Sequence, residues 1–174
     1  EAIIGNDEEV KKYFSKISIN NSVFDYLNLS NFVDGLYINI PANVIIEKPF
    51  QIININGSKV EKSFSSSRNL IIAGKHSQST FVQKSVGLEG NLYFNNISSE
   101  FVVAENCILN FYNVELDNDD SFHIEKTDVL QKRDSQFNHF NFTFGGKLVR
   151  NDVNTKLSDE NIECTLNGLY IAND

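Results

Sequence analysis

A chain of 174 residues with 41% hydrophobic and 22% charged positions has the size and composition of one folded domain, not of a disordered segment. A formal net charge of −8 argues against nucleic acid or an anionic membrane surface as the main partner. The two cysteines make no disulfide framework, no apolar run reaches the roughly 18 residues of a membrane span, and no secretory signal opens the chain, so a cytoplasmic location is expected.

The sequence contains no Met, so Glu1 is not a natural start and the chain reads as a piece of a longer protein. Residues 6–16, NDEEVKKYFSK, carry a helix pattern, with Asn6 as N-cap, acids in the first turn and lysines after them. Residues 23–32, VFDYLNLSNF, predict a second helix with Val23, Leu27 and Phe32 roughly on one face. Helical periodicity stops after Asp34, and from there the chain alternates with period two, rich in Val, Ile, Phe and Tyr and broken by Gly, Asn and Ser. The expected division is an N-terminal helical segment over 1–33 and a strand-built core over 34–174.

Five stretches of that core share one plan of alternation, polar turn and renewed alternation: residues 38–50, 70–82, 101–114, 129–142 and 155–168. Aligning the residue before each turn gives Ile40, Ile72, Val103, Gln131 and Leu157, spaced by 32, 31, 28 and 26. A repeat of this length made only of strands predicts a β-solenoid, each unit being about three short strands that bury themselves against their neighbours. An immunoglobulin-like sandwich would show a meander spacing of roughly 8–12 residues without the longer repeat. Asn43, Gly74, Asn106, Asp134 and Asn161 read as corner residues, because Asn, Asp and Gly accept a left-handed backbone at little steric cost. The sequons at Asn20, Asn28, Asn56, Asn96 and Asn141 follow from Asn-rich composition and are not read as glycosylation sites.

Few residues point to chemistry. Lys75 in AGKHS ends like a phosphate loop, but the first glycine of that motif is missing and strand precedes it, so a turn is expected. His76, His123 and His139 have no second His or Cys at ligand spacing, and His76 and His139 read as solvated histidines in or near turns. Cys107 and Cys164 fall two repeats apart at different offsets, which speaks for buried small hydrophobes over shared ligands. The run Asp117-Asn118-Asp119-Asp120 lacks the glycine and distal glutamate of a helical calcium loop and reads as a solvated loop. A carboxylate pair for glycoside chemistry remains open, since adjacent coils bring acids together, although no pair stands out. In Arg150-Asn151-Asp152, strand alternation puts Arg150 and Asp152 on one face and Asn151 on the other, an arrangement for a mutual ion pair or an interface.

Several segments resemble the SufB/SufD family of iron–sulfur cluster assembly scaffolds, SufD more than SufB. They are FDYLNLSNFVDGLYINIPANVIIEKPFQI, RNLIIAGKHSQSTFVQ, EFVVAENCILNFYNVE and, most specifically, QKRDSQFNHFNFTFGGKLVRNDVNTKLSDENIECTLNGLY. In the last, the RDS turn, the GG, the RND and the NGLY follow the family's order and spacing. The resemblance implies a right-handed parallel β-helix core, an absent C-terminal helical domain that docks a SufC-like ABC ATPase, and pairing with a SufB-like subunit. It also implies a scaffold and not a catalyst, with an iron–sulfur cluster held transiently by the full complex and no cofactor within residues 1–174. The family's cluster-proximal Cys and His fall beyond Asp174, so no catalytic, cofactor-binding or metal-ligating residue is assigned. The competing expectation is a carbohydrate-active β-helix lyase or hydrolase. Self-association of the chain, as a homodimer, is also expected from the row of strand groups near Tyr170.

Overall fold

The structure is a computed structural model that describes residues 7–18, 21–57, 62–88 and 92–171. Ten strands follow two short helices, α1 (Glu8–Tyr13) and α2 (Val23–Asn31). The strands are β1 (Tyr37–Ile40), β2 (Phe50–Asn56), β3 (Lys62–Ala73), β4 (Gln78–Gly87), β5 (Leu92–Val103), β6 (Ile108–Leu116), β7 (Phe122–Gln131), β8 (Gln136–Phe144), β9 (Leu148–Leu157) and β10 (Glu163–Ile171). Odd strands form one five-stranded sheet in the order β1-β3-β5-β7-β9, and even strands form a second, β10-β8-β6-β4-β2. Every pairing is parallel, so the chain winds as a β-solenoid of about four turns, and the antiparallel sandwich is excluded.

Two details of the repeat differ from the sequence reading. Each turn holds two long strands, not three short ones, because parallel pairing runs unbroken along all 12 residues of β3 and β5. The register also pairs Ile40 with Ala73, so Ala73 and not Ile72 is the equivalent position; Ile40, Ala73, Val103, Gln131 and Leu157 give turns of 33, 30, 28 and 26 residues. The same slip misplaced one corner. Asn43, Asn106, Asp134 and Asn161 adopt the left-handed conformation at φ of 63°, 54°, 55° and 55°, whereas in the second turn His76 does so at 58°. Gly74 is needed for a different reason: a Cβ there would lie 2.7 Å from the Ile40 carbonyl oxygen on the turn beneath.

Inward alternation fills the lumen. Ile40, Ile71, Ala73, Phe81, Phe101, Val103, Leu109, Phe111, Val129 and Phe137 form its buried apolar half. Phe50 stacks on Phe81 of the next turn at 5.1 Å, and Phe101 meets Phe111 across the lumen in a tilted contact at 4.9 Å. At this end Cys107 is fully buried and Cys164 packs against the same cluster. Burial pushes both thiols above their ordinary pKa, as small buried hydrophobes require.

The N-terminal segment lies across the outer face of the odd-strand sheet. Asp7, not Asn6, caps α1, accepting from the Glu9 and Val10 amides at 2.8 and 3.3 Å; Asn6 and Asn20 are outside the described residues. Val10 and Ile17 bury against Leu70, Ile72 and Val102. Polar tethers complete the contact. Glu100 accepts from the Ser15 amide at 2.7 Å, and Lys126 lies 3.0 Å from Asp25 and 3.3 Å from Asp128. Asn28, fully buried, donates to the Ser67 and Asn96 carbonyls at 2.9 Å each. Four sequon residues, Asn28, Asn56, Asn96 and Asn141, are buried, which closes them to glycosylation in the fold. No described helix is long and apolar enough to cross a membrane.

Candidate functional site

Lumen alternation that is apolar at one end turns polar at the other. Along β6 the inward positions read Leu109, Phe111, Asn113, Glu115, and the parity continues to Asp117; along β7 they begin with His123 and Glu125. The corner between these strands therefore folds four ionisable groups into one enclosed space. Glu115 and His123 are fully buried, Glu125 is 2% exposed and Asp117 5%.

His123 sits at the centre. Its Nδ1 lies 2.8 Å from Asp117 Oδ2, a close charge contact bent away from good hydrogen-bond alignment. Its Nε2 lies 3.2 Å from Glu125 Oε2 and 3.9 Å from Glu115 Oε1. The carboxylates are held by a shell of neutral donors. Gln83 Nε2 donates to Glu125 Oε1 at 2.8 Å, and Asn113 Nδ2 reaches both Glu125 Oε2 (3.1 Å) and Glu115 Oε1 (3.0 Å). Thr143 Oγ1 and Asn151 Nδ2 donate to Glu115 Oε2 at 2.8 and 3.1 Å. The Tyr93 hydroxyl donates to Asp117 Oδ1 at 2.5 Å, and burial together with that bond raises the Tyr93 pKa strongly.

Burial alone would strip the proton from His123. The close contacts with Asp117 and Glu125, with the fields of Glu115 and Glu125, more than reverse this and push the imidazole up to about 10. Burial and the neighbouring Glu125 push Glu115 up to about 7 against the pull of His123, whereas the close contact with His123 and the bonds from Tyr93 and Asn56 outweigh burial and hold Asp117 below its usual range. Three carboxylates thus face one imidazole, and the inward positions of the described strands supply no Lys or Arg to balance them.

The other sequence candidates scatter. Lys75 is exposed in its turn and pairs with Glu105 at 2.9 Å. His76 is exposed, but His139 is not: it is 3% exposed, stacked on Phe111 at 5.2 Å, and burial lowers its pKa. The acidic run divides, with Asp119 and Asp120 exposed and Asp117 inside the cluster, which corrects its reading as one solvated loop. Arg150 and Asp152 share the outward face at 2.8 Å, beside Asn21, Ser22 and Asp25 in a polar cleft, while Asn151 turns inward to Glu115. The buried cluster escaped the sequence reading because Glu115 and Glu125 meet only through the corner. The signal was parity: acids at inward positions of an alternating strand.

Residues 54–174 match the family described as the SUF system FeS cluster assembly SufBD core domain. The chain belongs to the SufBD family. A SufBD family protein of iron–sulfur cluster assembly from Synechocystis sp. is 26% identical over 161 residues, covering 88% of this chain. The chain spans 36% of that relative's length. No solved structure matches the chain significantly. Strands β3 to β10, the left-handed corners at His76, Asn106, Asp134 and Asn161 and the Arg150–Asp152 pair lie within the SufBD match, whereas α1, α2, β1 and the Asn43 corner precede it.

Proposed function

We propose that this protein is a SufD-like scaffold subunit of the SUF machinery, a non-catalytic partner of a SufB-like subunit and a SufC-like ABC ATPase in the cytoplasm. Iron–sulfur clusters are its cargo. The observation that carries this reading is the SufBD match over the greater part of a rigid two-sheet ladder. In such a ladder, main-chain bonds between turns fix every outward side chain, which suits the presentation of a long docking face. The carbohydrate-active alternative gains no support: Glu115 and Glu125, the carboxylates that do lie together, are sealed in the lumen away from any polymer.

The test is affinity purification of the full-length protein from its own cells. Recovery of a SufB-like subunit and an ABC-type ATPase, with cluster transferable to an apoprotein, is expected. A preparation that binds neither and instead degrades a polysaccharide would overturn the assignment.

A further inference from the structure

The polar end of the lumen carries more negative charge than its own residues neutralise. Three carboxyl groups, Glu115, Asp117 and Glu125, converge there on the one imidazole of His123, in an enclosed space where a carboxylate without a partner is costly. We propose that Glu115, His123 and Glu125 form a binding site for one divalent first-row transition-metal ion, with Asp117 as the residue that positions the imidazole.

The geometry fits such an ion. One ligand atom from each of the three residues lies within 4.8 Å of the others, and the Nε2–Glu125 and Nε2–Glu115 separations are 3.2 and 3.9 Å. Metal–ligand bonds of roughly 2.0–2.2 Å put tetrahedral donors roughly 3.4 Å apart, so little movement is required. Asp117 Oδ2, 2.8 Å from Nδ1, favours a proton on that nitrogen through its charge and leaves Nε2 to coordinate, and a small ring rotation on metal binding would complete the carboxylate–histidine–metal relation. The other carboxylate oxygens are already held, Glu125 Oε1 by Gln83 and Glu115 Oε2 by Thr143 and Asn151, while Asn113 spans the two oxygens that face Nε2. One nitrogen and two carboxylates, with no thiolate, select a borderline cation such as zinc or ferrous iron over copper(I) or a soft ion.

A second observation points the same way. Three polar atoms at inward positions beside the cluster have no hydrogen-bond partner: Ser85 Oγ, Asn95 Nδ2 and Asn141 Oδ1, on residues all at least 96% buried. Ser85 is the cross-strand neighbour of Glu115, Asn95 of His123 and Asn141 of Asn113. Unpaired groups of this kind flanking a charged trio are what the water ligands of a bound ion would satisfy. The proposal rests on the lumen alone and not on the scaffold function.

The experiment uses full-length protein made metal-free with a chelator and dialysed anaerobically against cobalt(II), with bound metal counted by elemental analysis. One equivalent is expected to disappear in both Glu125→Gln and His123→Gln, and to bind 10- to 100-fold more weakly in Asp117→Asn. Circular dichroism reports whether the variants fold. X-ray absorption at the cobalt edge of the wild type, which needs no variant, is expected to show for this equivalent nitrogen and oxygen neighbours including an imidazole. Wild-type protein that takes up no cobalt, sulfur-only ligation, or stoichiometry unchanged in folded variants would each overturn the site. None of these outcomes bears on partner co-purification, so the two readings fail separately.

Discussion

At the scale of single residues, position in the winding decides what each side chain is worth. Asn106 occupies a left-handed corner where an L-residue with a Cβ and no compensating polar group is strained. Asn106→Ala is expected to cost about 1–2 kcal/mol and Asn106→Gly well under that, read from urea unfolding midpoints. His139 shows the opposite logic, a polar ring stacked among Phe111 and Phe137 with its pKa depressed by burial. The unfolded chain takes up a proton near pH 6.5 while folded His139 resists it, so the stability it contributes is present above that pH and is lost as pH falls. His139→Phe removes this loss. The variant's stability advantage is expected to grow on acidification from pH 7.5 to 5, by at most about 1.4 kcal/mol per pH unit. Arg150 and Asp152 are paired but solvated, so Arg150→Ala is expected to leave the unfolding midpoint unchanged.

At the scale of elements, the helical segment and the ladder are joined by a few buried polar ties. Lys126 neutralises both Asp25 of α2 and Asp128 of its own strand. Lys126→Met leaves those carboxylates without that partner and is expected to cost roughly 3 kcal/mol, at the low end for a broken buried pair because Asp25 keeps an edge to water. Amide exchange should quicken across residues 23–31 and stay slow in β5 and β7. Protection that is lost evenly along the chain would show that the segment and ladder are one cooperative unit. The elements themselves were legible in the sequence, because helix caps, period-two alternation and Asn or Asp corners are local signals. Asp7 displaced Asn6 as cap, and the corner at His76 was hidden by the glycine two residues before it, since glycine advertises a positive φ that in this turn it does not use.

At the scale of the whole molecule, the fold was readable and the buried cluster was not. The repeat declares itself through spacing, which survives an alignment error of one residue at Ile72. The cluster needs register and parity together: Glu115 reaches Glu125 only because one corner turns β6 into β7 with both acids facing in. Stability follows the same stacking. Phe111→Ala leaves a cavity between Phe101 and His139 in the apolar core and is expected to cost about 3–5 kcal/mol in urea unfolding. The falling count of 30, 28 and 26 residues leaves the strand register intact and is taken up between strands: from Ser85 to Phe94, Glu115 to Phe122 and Thr143 to Leu148, positions that pair turn upon turn, the chain advances 9, 7 and 5 residues. Length can therefore change at that bend without disturbing the paired strands, so insertions and deletions there are the ones this winding absorbs most readily.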